Sequence, residues 1–320
     1  AAGKCIDSVG NGNAVSNTVQ VTIDRVAPNA FTPTVSSVTS NSITVSASTT
    51  DNSGKAVTYM YSKDSGKSWQ TSNKLTGFKE VTSYPIQVKA IDSVGNVTIG
   101  NVTGKTRYYY QDYATSGLKL LYDGNKNTSS GHSSSSSSWY DLSGNGNNGS
   151  VYNGTWASSS LGFNGSSTYV NCGTGLNSYV SNVTWEVCFN TKDVRADLMS
   201  NYWPDGICLG YSGSNKVHVS TIASSTWTGD TSASGVPVNS IVTASFTYDN
   251  ATLKLYINGV LKSSSSKSNA ISVSSKSLCL GYLPGAGDYR YNGSIYSVRI
   301  YNRALSATEI ANNYAIDACR

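Results

Sequence analysis

Apolar and polar residues alternate in short runs along this chain, and clusters of Gly, Asn, Asp and Ser separate the runs. Ser42-Ile43-Thr44-Val45-Ser46-Ala47, Val57-Thr58-Tyr59-Met60-Tyr61 and Tyr84–Ala90 each read as a strand, because successive strand side chains point to opposite faces. Asp51-Asn52-Ser53-Gly54 and Asp64-Ser65-Gly66 supply turns between them. Further along, Leu118–Tyr122, Thr168–Cys172, Val183–Asn190, Gly206–Tyr211, Lys216–Ile222, Leu278–Gly281 and Ser294–Tyr301 repeat the pattern. Ala244, Phe246 and Tyr248 alternate into an Asp249-Asn250 turn, and Leu253, Leu255 and Ile257 alternate back. Asn258-Gly259 then predicts a two-residue hairpin turn leading into Val260-Leu261. One helix is legible: Ser306-Ala307-Thr308-Glu309 fits a capping box, Leu305 and Ile310 fit a hydrophobic staple, and Ala311–Ile316 continue it. The prediction is an all-β chain with one short C-terminal helix.

An internal repeat sets the domain boundaries. Cys5-Ile6-Asp7-Ser8-Val9-Gly10-Asn11 recurs as Ala90-Ile91-Asp92-Ser93-Val94-Gly95-Asn96, a spacing near one immunoglobulin-sized sandwich. After the first copy a strand-like run, Thr18–Asp24, ends at Val26-Ala27-Pro28, where proline closes it. This arrangement resembles bacterial immunoglobulin-like repeats, related to fibronectin type III. The expected organisation is 1–28 as the tail of a truncated repeat, 29–106 as a complete one, 107–117 as a tyrosine-rich linker and 118–320 as a larger second domain. The chain opens on Ala1 within a strand-like run, so its N-terminus is expected to be trimmed from something longer.

Composition narrows the function classes. Charged residues make up 13% of the 320, well below the usual quarter, and Ser, Thr, Asn, Gly and 22 Tyr take their place. The net charge of +5 is scattered along the chain. Nucleic-acid binding wants basic residues clustered on one face, so no nucleic-acid partner is expected. No run of 18 apolar residues exists, and no span is expected. Cys5, Cys172, Cys188, Cys208, Cys279 and Cys319 are too far apart for a C-x-x-C zinc or redox motif.

Three segments carry a second resemblance. They are Trp139-Tyr140-Asp141-Leu142-Ser143-Gly144-Asn145-Gly146-Asn147-Asn148-Gly149, then Leu161–Val170, then Tyr291–Ser306 running into Glu309-Ile310. With the Tyr256-Ile257-Asn258-Gly259 hairpin, they resemble the laminin-G-like branch of the concanavalin-A-like jelly rolls, in that family's order. The resemblance implies a jelly roll over 118–320, glycan binding, sometimes with Ca²⁺, and attachment to enzymes, adhesins or phage proteins.

Catalysis is not expected. Glycoside hydrolysis needs a carboxylate pair, yet the only glutamates are Glu80, Glu186 and Glu309. The related glucanases use a Glu-x-Asp-x-Glu strand, whereas this chain reads Trp185-Glu186-Val187-Cys188-Phe189. His132 and His218 have no nucleophile motif beside them. Ser62–Trp69 fits the Asp-box pattern of sialidase propellers, but occurs once and reads as a β-turn with Trp69 folded onto it. Asp141, Asn145 and Asp288 are candidate ligands for a structural Ca²⁺. Aromatic, acidic and basic loop residues fit sugar binding, since rings stack on sugar C–H faces and polar groups hold hydroxyls. The candidates are Tyr202, Trp203 and Asp205, Trp227 and Asp230, and Tyr289 and Arg290. The expected function is a surface-displayed adhesion module, extracellular or on a cell or virion surface. Its partner would be a cell-surface glycan or polysaccharide, or other proteins and copies in a surface or virion assembly. Two alternatives stand beside it: a purely structural decoration protein of a virion or filament, and the non-catalytic C-terminal part of a larger glycosidase or protease.

Overall fold

Alternation with a period of two leaves one face of each strand apolar, and burying those faces organises both units of the chain. The computed structural model describes residues 8–10, 12, 23–107, 109–192, 195–201, 204–213, 215–267, 271–282 and 289–318; for 227–230 it describes the backbone alone. The Thr18–Asp24 run, Cys5 and Cys319 fall largely or wholly outside these residues, as does most of the first repeat copy. The chain divides into residues 1–108 and 109–320.

In the first unit β1 (Thr34–Val38), β2 (Ser42–Ser46) and β4 (Lys74–Thr76) form one antiparallel sheet. A second sheet joins β3 (Thr58–Ser62), β5 (Ser83–Ile91) and β6 (Val97–Lys105). Ile43, Val45, Leu75, Ile86 and Val88 share one core with Tyr61 and Phe78. The Ser62–Trp69 segment is the expected turn. Asp64 accepts from Ser62 Oγ, Ser68 N and Ser68 Oγ, and Trp69 Nε1 donates to the Gly66 carbonyl.

The second unit is a two-layer jelly roll. Its first sheet has the order β10 (Thr155–Ala157), β11 (Ser160–Asn164), β22 (Asn292–Tyr301), β13 (Val183–Thr191), β18 (Val242–Tyr248), β19 (Thr252–Ile257), β20 (Val260–Ser266). β7 (Leu118–Asp123) also pairs with β22. The second sheet has the order β17 (Thr226–Ala233), β16 (Lys216–Ala223), β15 (Gly206–Ser212), β14 (Ala196–Ser200), β21 (Cys279–Leu280), β12 (Tyr169–Asn171), β9 (Gly149–Tyr152), β8 (Ser138–Trp139). Trp139, Trp185, Phe189, Phe246, Leu255 and Ile300 are among the residues filling the space between. The tyrosine-rich stretch read as a linker is built into this unit: Tyr109–Asp112 form a 3-10 turn, and Tyr113 is buried.

The outer face of the first sheet is covered by α1 (Ala307–Asp317). Ser306 and Glu309 make the expected capping box, and Leu305 and Ile310 are buried as its staple. The pair Arg303–Glu309 at 2.5 Å reinforces the cap. Beneath the helix, Glu186 and Arg299 point away from the core as neighbours of inward Trp185 and Val298. Arg299 Nε donates to Glu186 at 2.8 Å, and its Nη1 and Nη2 donate to Asp317 at 3.0 and 2.7 Å. Ser245, Asn313, Ser297, Thr243 and Tyr113 also donate hydrogen bonds to the two carboxylates. Glu186, the single acid of the Trp185–Phe189 segment, therefore serves a buried ion network.

Candidate functional site

The second sheet turns one face to the core and the other outward. Val170, Leu280, Leu209, Val217 and Val219 belong to the core, so their strand neighbours Tyr169, Cys208, Gly210, His218 and Ser220 point out. By the same alternation Tyr152 points out beside Val151, which packs on the core. Tyr152 and Tyr169 face each other across β9 and β12. Their rings are parallel within 6° and 4.5 Å apart. Tyr282 lies 5.5 Å from Tyr169. The Arg290 guanidinium stacks 3.8 Å from the Tyr282 ring centroid and 5.8 Å from that of Tyr169. Tyr152 is 43% exposed. The result is a row of π-faces with a cation set into it, a geometry that cation–π attraction stabilises.

A second group sits at the β15–β16 end of the same face. The Arg195 guanidinium lies 3.8 Å over the Tyr289 ring and donates to the Tyr289 hydroxyl. Tyr289 packs on buried Cys208 and Ile222. The His218 ring lies over Gly210, where a Cβ would come within 2.6 Å of it; that close approach is why glycine suits this position. The Asp197 N–H donates to the Tyr289 carbonyl at 3.2 Å. Cys208 Sγ donates to Asp197 Oδ1 at 2.8 Å, while Oδ2 is buried without a partner. Burial pushes the Asp197 carboxyl up to about 6, against the bond from Cys208.

That shift has a sign. An acid whose pKa rises from 3.8 unfolded to about 6 folded binds more protons in the native state. Stability therefore falls as pH climbs through that window, then levels off. Asp197→Asn is expected to flatten this part of the pH profile. Denaturant melts of both proteins between pH 3.5 and roughly 7 check it; parallel profiles would contradict it.

Of the residues singled out from sequence, Tyr289 and Arg290 lie in this patch. Asp205 Oδ1 accepts from Ser224 N at 2.7 Å, and Ser225 N donates to the Pro204 carbonyl at 2.9 Å. These bonds draw Pro204 and Asp205 against the β16–β17 turn. Trp227 pairs with Ile222, and Asp230 with Ser220, in β17; their side chains are outside the description, and Tyr202, Trp203 and Asp288 lie outside the described residues. Ile222 also pairs with Gly206 and touches Tyr289, so the Trp227 and Gly206 backbones and Tyr289 all adjoin this one residue. Asp141 is occupied as a turn brace, accepting from Leu121 N, Ser143 N and Asn147 N. Asn145 donates to the Leu118 carbonyl and Ser143 Oγ. His132 Nδ1 bonds the Gly124 carbonyl, and its ring meets Trp156 edge-on. Sequence reasoning did not single out Tyr152, Tyr169, Tyr282 or Arg195; the available signal was tyrosine alternating with core valine in Tyr169-Val170 and Val151-Tyr152.

Comparison with known proteins agrees with this architecture. Residues 163–311 match the model of the concanavalin A-like lectin/glucanases superfamily, in its laminin-G division. The second unit thus contains a concanavalin A-like jelly-roll domain. Among solved structures, the receptor-binding domain of a botulinum neurotoxin C/D mosaic serotype aligns with a TM-score of 0.52 at 14% identity, covering 63% of this chain and 52% of that one. The chain therefore spans about half the length of that toxin domain. Domain 4 of the extracellular arabinanase AbnA from Geobacillus stearothermophilus, solved with arabinotriose, aligns at 19% identity with a TM-score of 0.47, covering 62% of this chain and 98% of that one. No protein of curated function matches. Among the described residues no helix is long and apolar enough to cross a membrane.

Proposed function

We propose that the second unit is a non-catalytic carbohydrate-binding module and that the Tyr152–Tyr169–Tyr282–Arg290 row forms its site. The first unit is then a spacer, and the whole an adhesion module displayed on a cell or virion surface. The observation that carries the reading is the stacked tyrosine row on an outward sheet face. Pyranose and furanose rings present flat C–H faces that stack on such rings. The guanidiniums of Arg195 and Arg290 supply donors for hydroxyls or for the carboxylate of an acidic sugar. Glu186 and Glu309 are held in a buried ion network and a helix cap, which supports binding over hydrolysis.

A glycan array probed with the full chain tests this. Selective retention of one sugar class is expected, and Tyr169→Ala is expected to lower it about tenfold, about 1.4 kcal/mol. Tyr152 and Tyr169 are partly exposed, so that variant is expected to melt within a few degrees of wild type. A flat response across a broad array would favour a purely structural role.

A further inference from the structure

We propose that Asp24, Asp51 and Asp92 of the first unit form a divalent-cation site selective for Ca²⁺. One carboxylate oxygen from each can be chosen so that all three lie within 4.8 Å of one another. Asp51 and Asp92 are 7% and 6% exposed, and Asp24 is half-buried. Like charges this close and this shielded repel strongly. The Arg299–Glu186, Arg299–Asp317 and Arg303–Glu309 ion pairs all lie in the second unit. Asp51 Oδ1 and Asp24 Oδ2 are buried atoms without a hydrogen-bond partner. A buried carboxylate oxygen left unpaired is costly, and a cation at the centre removes both the repulsion and the vacant valences.

Hydrogen bonds fix the Asp51 and Asp92 carboxylates within their loops. Asp51 takes bonds from Ser53, which bring its carboxyl below the usual range. Burial pushes Asp92 up, but bonds from Asn96, Val94 and Gly95 outweigh it and leave the carboxyl lowered.

The loops are also tied together before any ligand arrives. Asn96 Nδ2 donates to Asp92 Oδ2 at 2.8 Å and to the Asp24 and Val26 carbonyls at 3.3 Å. Asn29 N donates to the Thr50 carbonyl, Asn29 Nδ2 to Thr50 Oγ1, and Thr49 Oγ1 to the Asn29 carbonyl. Three chain segments, 24–29, 49–51 and 92–96, thus converge on one point. The donor set is all oxygen, without a sulfur or imidazole ligand, which suits a hard cation. Three charged ligands with carbonyls or water completing the shell fit the larger, irregular coordination of Ca²⁺ better than the strict octahedron of Mg²⁺. The repeated Ile-Asp-Ser-Val-Gly-Asn motif acquires a use: its Asp92 is a ligand, and its Asn96 fastens the entry segment.

Calorimetric titration of the chelator-stripped full chain with CaCl₂ tests the proposal, with MgCl₂ as the comparison. The expected result is a Ca²⁺ site that Asp51→Asn weakens roughly tenfold or more. With Ca²⁺ present, wild type is expected to gain melting temperature and Asp51→Asn to gain little. Should Asp51→Asn fail to fold, Asp24→Asn, at the half-buried position, gives the same readout. The proposal is overturned if wild type binds no Ca²⁺ at millimolar concentration, or if the folded variants bind with wild-type stoichiometry and affinity.

Discussion

Arg299→Ala is expected to destabilise the second unit by about 3–5 kcal/mol. The guanidinium is fully buried between Glu186 and Asp317 and stacks 4.2 Å from the Tyr113 ring centroid. Truncation removes the cation paired to both carboxylates and leaves their charge in the interior. Breaking a buried pair from one side costs far more than replacing the whole set with apolar residues. A variant carrying Glu186→Leu, Arg299→Met and Asp317→Leu together is therefore expected to recover much of the loss. Urea unfolding monitored by tryptophan fluorescence checks both. A loss under 1 kcal/mol for Arg299→Ala would mean that water reaches the carboxylates under the helix.

Trp139→Ala is the second large effect, about 3–5 kcal/mol. Trp139 is wholly buried; it stacks on Tyr122 at 5.3 Å and meets Trp156 edge-on at 5.0 Å. Its Nε1 also donates to the Asp123 carbonyl at 3.1 Å. Alanine removes these contacts and opens a cavity against β7, whereas Trp139→Phe keeps part of the packing. The expected drop in melting temperature for alanine is roughly 10 °C, with phenylalanine well above it. Equal melting temperatures for alanine and wild type would show that the Trp139–Asp141 segment does not anchor the fold.

What was legible in the sequence was local. The cap at Ser306–Glu309 and the hairpin closed by Asn258-Gly259 each depend on residues a few positions apart, and each formed as read. The tyrosine row was not legible, because Tyr152, Tyr169, Tyr282 and Arg290 come from separate segments that only the β9–β12 register and the chain after β21 bring together. Glu186 looked unpaired for the same reason: Arg299 and Asp317 lie more than a hundred positions away. The Asp24–Asp51–Asp92 cluster likewise joins three loops. Side chains that define a surface are selected by sheet register, which a single sequence encodes weakly.

The central claim is that the outward tyrosine row binds sugar. The direct measurement is calorimetric titration of the full chain, of Tyr169→Ala and of Arg290→Ala with the glycan selected on the array. Binding by wild type, about tenfold weaker in each variant with melting temperatures little changed, is the result predicted. Wild-type affinity in both folded variants would place the binding elsewhere and contradict the account.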